Sequence, residues 1–234
     1  MAFTYYDSSD GTAAQDLVVD LNGDIFIATG DSSSKYLVKK FDSSGNKKWS
    51  FGDGVLDSVR CMEVDFLGNV YHAGHDKNVR KINSAGTQVW VAATSDMSNF
   101  LAVDIEGNII SGGSSDIEKF SGSDGTKLWK SYTSNTAMTV DLLGNMYLIS
   151  QWFVKLNKNG ERTYRVIRGD LGITKYASSM AVDLQGNIWM AMQMDSNVYK
   201  VTQTADAVLY LASDKKTPIL CKSIQKNGTD YYVR

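Results

Sequence analysis

Few residues in this chain can carry acid–base or nucleophilic chemistry, and their spacing decides which could act together. Glu63 is the one acidic residue at a position that recurs as Val18, Glu63, Ala102, Thr139, Ala181 and Ser223. A hard divalent cation needs several oxygen ligands converging at ~2.0–2.6 Å, so one carboxylate among small and apolar counterparts does not make a metal cage. His72 and His75 are the only histidines. His75 opens the stretch "GHDKN" with Asp76 beside it, a pairing that could carry a proton near neutral pH. No second histidine and no nucleophilic Ser or Cys motif accompanies it. His72 stands where the other copies hold Ile27, Ser111, Leu148 and Met190, the place of a packed strand residue. Cys61 and Cys221 share one repeat position in different copies. That places them beyond the ~7 Å Cα separation a disulfide can span, and both are expected as small buried thiols. A glycine loop with the lysine of a P-loop is absent. Glu63 and His75 are thus the only catalytic candidates, and neither a metal nor a cofactor is expected.

Residues suited to recognition lie in irregular stretches. The longest, "RGDLGITKYASS", brings Arg168 and Asp170 together with Leu171, Ile173 and Tyr176, a mixture of charge and apolar surface that suits a protein contact. "FGDGVLDSVR" adds Asp53 and Asp57. The tripeptide RGD within the first stretch is too short to identify a partner.

These residues are positioned by a repeat. Aligned on a Val-Asp pair, the copies place Asp20, Asp65, Asp104, Asp141 and Asp183 at intervals of 45, 39, 37 and 42 residues. Three residues after each Asp comes Gly23, Gly68, Gly107, Gly144 or Gly186, then a short apolar run. A period in this range signals a repeat architecture. Within a copy the apolar period is two, and the glycine supplies the positive φ of a tight hairpin with a bulge. The preceding Asp can accept hydrogen bonds from the turn amides. A third strand reads apolar-x-Lys-apolar, with Lys40, Lys81, Lys119, Lys155 and Lys200. A second glycine turn follows, and four residues after it comes Trp49, Trp90, Trp129 or Tyr164. Asp and Lys recur together, which predicts Asp–Lys pairs rather than five ligand sites. Four short antiparallel strands per copy make one blade of a β-propeller.

The segment "MAVDLQGNIWMA…SNVYKV" (180–201) resembles the NHL repeat, and "SGSDGTKLW" is similar to the outer strand of quinoprotein-type propeller repeats. The resemblance covers nearly the whole chain. It implies a six-bladed propeller in which an outer-strand tryptophan docks between neighbouring blades. Lactonases and gluconolactonases of similar build hold a divalent metal in the central tunnel with Glu, Asn and Asp from several blades, a set this sequence supplies only at Glu63. The propeller lyases that inactivate streptogramin antibiotics rely on a catalytic His with an acidic partner, and their motif has no counterpart here.

Five copies are complete, and "ILCKSIQKNGTDYYVR" reads as a partial sixth with Ile224 and Gln225 at the Val-Asp position. The expectation is a single all-β domain, 1–234, folded as a six-bladed propeller whose last blade is closed by the N-terminal strand Phe3–Tyr6. Five blades plus a terminal hairpin is the alternative.

The charge balance, 24 basic against 26 acidic residues with a pI near 5.7, gives no footprint for nucleic acid or anionic lipid. No leader-like segment opens the sequence, and no apolar stretch approaches the ~20 residues that cross a bilayer. A cytoplasmic or virion-associated protein is expected. The first functional reading is a non-catalytic binding or assembly module that uses its irregular loops to hold a protein or a glycan. Its Ser/Gly/Asp/Asn-rich style suits a phage tail or capsid component. The alternative is a small lactonase-like hydrolase or lyase working near Glu63.

Overall fold

The computed structural model describes residues 13–30, 36–52, 56, 58–194, 198–202, 208–210, 218–220, 223–226 and 229–231. The chain divides into two compact units, Met1–Lys130 and Ser131–Arg234. The first unit holds three four-stranded sheets in chain order. They are β1 (Ala13–Val19), β2 (Ile25–Gly30), β3 (Tyr36–Phe41) and β4 (Lys47–Phe51); β5 (Cys61–Val64), β6 (Val70–Ala73), β7 (Asn78–Ile82) and β8 (Gln88–Ala93); and β9 (Phe100–Val103), β10 (Ile109–Gly112), β11 (Asp116–Phe120) and β12 (Lys127–Tyr132). In the second unit β13 (Ala137–Val140), β14 (Met146–Ile149), β15 (Trp152–Leu156) and β16 (Arg162–Ile167) form the fourth blade. A single 3-10 turn, Arg168–Leu171, leads to β17 (Ala177–Val182), β18 (Ile188–Met192) and β19 (Val198–Thr202) of the fifth. A two-stranded sheet, β20 (Val208–Tyr210) and β21 (Pro218–Leu220), interrupts that blade before β22 (Ser223–Lys226) and β23 (Thr229–Tyr231).

The expected sixth blade is not formed among the described residues. β22 pairs antiparallel with β19, placing Gln225 opposite Lys200 and Ile224 opposite Val201, so it is the fourth strand of the fifth blade and β23 is a fifth strand beside it. Among the described residues there are five blades, the last of them five-stranded, as the alternative count of five expected. In the other blades strand four follows strand three within a handful of residues. In the fifth, β20 and β21 are inserted between them, and the displaced strand mimics the start of a new copy. The proposed N-terminal closing strand, Phe3–Tyr6, lies outside the described residues.

The repeat chemistry has the expected geometry in every blade. Gly23, Gly68, Gly107, Gly144 and Gly186 have φ between 75° and 79°, which L-residues with a Cβ rarely adopt. One carboxylate oxygen of each preceding Asp accepts two turn amides: Asp65 Oδ1 takes Leu67 N–H and Asn69 N–H at 2.9 Å each. Asp20, Asp104, Asp141 and Asp183 do the same.

The second oxygen of Asp65, Asp104, Asp141 and Asp183 accepts the side-chain amide of the turn Asn, and its further partner depends on strand two. Tyr71 Oη and Tyr147 Oη donate to Asp65 and Asp141 at 3.0 and 2.9 Å, and Trp189 Nε1 donates to Asp183 at 3.0 Å. The strand-three lysine, directly across the sheet, then lies over that ring. The expected Asp–Lys pair forms where strand two offers no donor: opposite Ile110, Lys119 Nζ reaches Asp104 at 2.7 Å. Phe26 also lacks a donor, but there Lys40 turns to Asp24 at 2.9 Å and lies over the Phe26 ring. Lys81 in addition reaches out of its own sheet, donating to Gly122 O in the next blade's outer turn at 2.6 Å.

Blades of the first unit join through apolar faces and tryptophans. Phe26, Ala28 and Val38 of the first blade pack with Met62, Val70 and Ile82 of the second, each such side chain worth ~1.5–3 kcal/mol when fully buried. Trp49 Nε1 donates to Ser84 O at 3.1 Å and Trp90 Nε1 to Gly122 O at 3.2 Å, so each indole docks on the next blade's outer turn. In the second unit Tyr147, Phe153, Tyr164, Met190 and Tyr199 belong to one core that also takes in Leu171 and Ile173.

Candidate functional site

The first unit places Glu63 on β5, partly buried, with an acidic neighbour that the sequence did not single out. The β1–β2 register shifts between Ala14 and Asp16, and at this irregularity the Asp16 carboxylate leaves its own sheet. Asp16 Oδ2 accepts Met62 N–H of the next blade at 2.6 Å and Oδ1 accepts Leu17 N–H at 2.9 Å. Burial, and then the charge of Asp16, pushes the Glu63 carboxyl above its ordinary range, against the pull of Val64 N–H at 3.1 Å. Such a carboxyl holds its proton more readily than a solvated one. Among the described residues no group of three or more His, Cys, Asp and Glu side chains is arranged to hold a metal ion.

His75 does not pair with Asp76. Arg60 Nη1 approaches His75 Nε2 at 2.8 Å, and since arginine can only donate, that nitrogen accepts and the proton sits on Nδ1. Asp76 instead bonds Arg80 and Asn78. The adjacency of His75 and Asp76 in the chain fails to make a dyad because the Arg80 guanidinium outcompetes a neutral imidazole for the carboxylate.

His72 is fully buried on β6, the packed strand position expected for it, with both ring nitrogens unpartnered among the described residues. Burial holds its pKa down to about 3, with the Arg80 charge adding to the effect. Cys61 is a buried free thiol pushed up to about 12 by burial, an inert structural residue. Cys221 lies outside the described residues. Glu118, also buried, accepts Ser95 N–H and Oγ–H at 2.9 and 2.7 Å and pairs with Lys127 at 2.7 Å. Its partners hold its carboxyl low although burial opposes them.

The second unit presents the stretch 168–176 as a pinned platform. Leu171 and Ile173, expected as contact residues, are buried in the core. They are anchors: the 3-10 turn ends at Gly172 (φ 69°), whose N–H bonds Gly169 O, and Ile173 N–H bonds Arg168 O at 3.2 Å. Arg168 N–H reaches Gln151 O at 3.1 Å, and Gln193 N–H reaches Tyr176 O at 2.8 Å, tying both ends to neighbouring connections. Outward stand Asp170, Thr174, Lys175 and the Tyr176 ring, 48% exposed, with the half-buried Arg168 guanidinium 4.0 Å from the ring centroid. Arg168 Nη1 has no hydrogen-bond partner among the described residues. Asp53 and Asp57 lie outside the described residues.

No family model matches the sequence, and no match is found among curated proteins. Solved structures do match. A chain of a mitotic checkpoint complex superposes with a TM-score of 0.69 at 14% identity, over 85% of this chain and 63% of its own length, so this chain spans less than two thirds of it. Virginiamycin B lyase from Staphylococcus aureus gives 0.67 at 10% identity, over 84% and 68%. A streptogramin B lyase gives 0.68 at 12%, over 83% and 67%. At such identities the likeness shows the fold, a β-propeller. No helix among the described residues is long and apolar enough to cross a membrane.

Three features escaped the sequence reading. Asp16 was hidden by the bulge that redirects it. Arg60, partner of His75, stands outside the repeat pattern. The third is a set of exposed apolar turn residues, Leu21, Phe66, Ile105, Leu142 and Leu184, and it was legible, since each directly follows a repeat Asp.

Proposed function

We propose that the protein is a non-catalytic β-propeller binding module, of NHL-like build, that holds a protein partner through the stretch 168–176. One observation carries this reading: the exposed Tyr176 ring, stacked on the half-buried Arg168 guanidinium, stands on a segment anchored underneath by Leu171 and Ile173. Tyr and Arg dominate the energetics of protein interfaces, and a pre-stacked pair loses little side-chain freedom on binding. Asp170 supplies a charge at the rim. A glycan-binding ring of equivalent sites is disfavoured, because this stretch has no counterpart in the other blades. The mitotic checkpoint neighbour, itself part of a complex, shows that a similar scaffold can serve in an assembly.

A second reading, a hydrolase or lyase, draws on the raised Glu63 carboxyl beside Asp16 and on the two lyase neighbours. The experiment that separates the two is co-purification from cells that make the protein, comparing the wild type with Arg168→Ala/Tyr176→Ala and with Glu63→Gln. The binding reading expects a stoichiometric protein companion lost only in the double variant. A companion unaffected by the double variant, or none at all, would overturn it.

A further inference from the structure

We propose that the first unit holds a second binding site, for the carboxylate or phosphate group of a small molecule, with the Arg60 guanidinium as its anchor. This goes beyond the protein contact of residues 168–176 and stands apart from it, in the other unit of the chain. Six other basic side chains of the first unit, Lys40, Lys48, Arg80, Lys119, Lys127 and Lys130, each meet a carboxylate. Arg60 has no carboxylate partner among the described residues. Its Nη1 donates to His75 Nε2 at 2.8 Å instead. A neutral imidazole holds the guanidinium in place and leaves its positive charge whole.

Both partners are fixed from behind. Arg60 is exposed between the buried Val59 and Cys61, and its backbone N–H bonds Ala73 O at 2.8 Å. His75 N–H donates to Oγ of the buried Ser58 at 2.5 Å. Gly74 makes that approach possible, since a Cβ there would fall 2.5 Å from the Ser58 carbonyl oxygen. Because His75 engages only Nη1, the Nε–Nη2 edge of the guanidinium stays intact. That edge is a fork that takes two oxygens of one carboxylate or phosphate.

The acids that could compete for Arg60 are committed elsewhere. Asp76, next to His75 in the chain, bonds Arg80 and Asn78. Asp16, on the neighbouring inner strand, has its oxygens on the Leu17 and Met62 amides. Glu63, further along the same strand as Arg60, is inclined by burial toward its neutral form. Lys77, on the turn that follows His75, adds a second exposed positive charge. Five residues before the repeat Asp, where this blade has Arg60, the preceding and following blades have Gln15 and Asn99, amides rather than acids. An exposed guanidinium is well solvated, so the affinity for a single oxyanion is modest, in the millimolar range.

NMR of the full chain, following the His75 ring and the Arg60 side chain at constant ionic strength, tests this. Sodium phosphate, sodium succinate and sodium chloride are the separate titrants. Phosphate or succinate is expected to shift both signals saturably, and the tighter of the two identifies the ligand class, while chloride leaves them in place. Arg60→Lys keeps the charge but loses the fork, and Arg60→Gln loses both. Each is expected to weaken binding about tenfold or more. His75→Asp gives Arg60 a carboxylate of its own and is expected to abolish binding, with an unchanged circular dichroism melt. If a variant fails to fold, the wild-type titration still decides, because its shifts must be confined to residues 58–60 and 74–77. Shifts that never saturate, that spread elsewhere or that chloride reproduces would each overturn the proposal. So would an Arg60→Lys or His75→Asp variant that binds like the wild type.

Discussion

Tyr71 gives its phenolic hydrogen to Asp65 Oδ2 at 3.0 Å while Lys81 stands 5.3 Å from the centre of the same ring. The ring thus lies between the two charges that the repeat places in every blade. The same relation holds for Tyr147 with Asp141 and Lys155, and for Trp189 with Asp183 and Lys200. Removing the hydroxyl takes from Asp65 Oδ2 its buried phenolic donor and leaves it the Asn69 side-chain amide at 2.8 Å. Tyr71→Phe is therefore expected to cost ~1.5–3 kcal/mol, the range for hydrogen bonds to charged groups. The denaturant midpoint checks this, with the slope unchanged.

Gly86 faces the Trp49 ring across the first two blades. A Cβ there would fall 2.8 Å from the indole, and φ is +87°. Gly86→Ala combines overpacking of ~1–3 kcal/mol with backbone strain of ~1–2 kcal/mol. Trp49→Phe should relieve the steric share but not the strain. A double-mutant cycle by chemical denaturation is expected to show coupling of about 1 kcal/mol or more.

His72 makes stability depend on acid. Its folded pKa of about 3 lies below the ordinary value of 6.5, so between these limits the unfolded chain binds the extra proton. The stabilisation is complete above pH 6.5 and is lost progressively as pH falls toward 3. At pH 5 the loss is about 2 kcal/mol. His72→Met, the residue the fifth blade carries at Met190, is expected to flatten this part of the stability profile, measured by urea denaturation from pH 7 to 4.

Glu63 works in the opposite sense. Its folded carboxyl is raised by burial and Asp16, so it takes a proton more readily folded than unfolded. Its penalty therefore grows as pH rises from the unfolded carboxyl range through the folded value. Glu63→Gln should raise stability at neutral pH, and the gain should vanish once the native carboxyl is protonated. Thermal melts at pH 7 and pH 4 measure the difference.

The blades were legible because their signals are local. The Asp-x-x-Gly turn, the alternating strands and the outer tryptophans each act within a few residues, and Trp49 and Trp90 dock as the spacing implies. The blade number was misread because strand pairing is not local: Ile224 and Gln225 look like a first strand, yet the insertion of β20 and β21 makes them the partner of β19. The site was less legible for the same reason. Asp76 adjoins His75 in sequence but bonds Arg80. Asp16 reaches Met62 from another blade. Leu171 and Ile173 look like a surface patch in a polar stretch, but the fold turns them inward.

Photo-cross-linking from position 176 tests the binding role most directly. With a benzoylphenylalanine in place of Tyr176, irradiation in cells that make the protein is expected to yield one discrete protein adduct, abolished by Arg168→Ala. The same probe in place of Lys158, on an outer turn of the fourth blade, should yield none. No adduct from position 176, or the same adducts from both positions, would contradict the account.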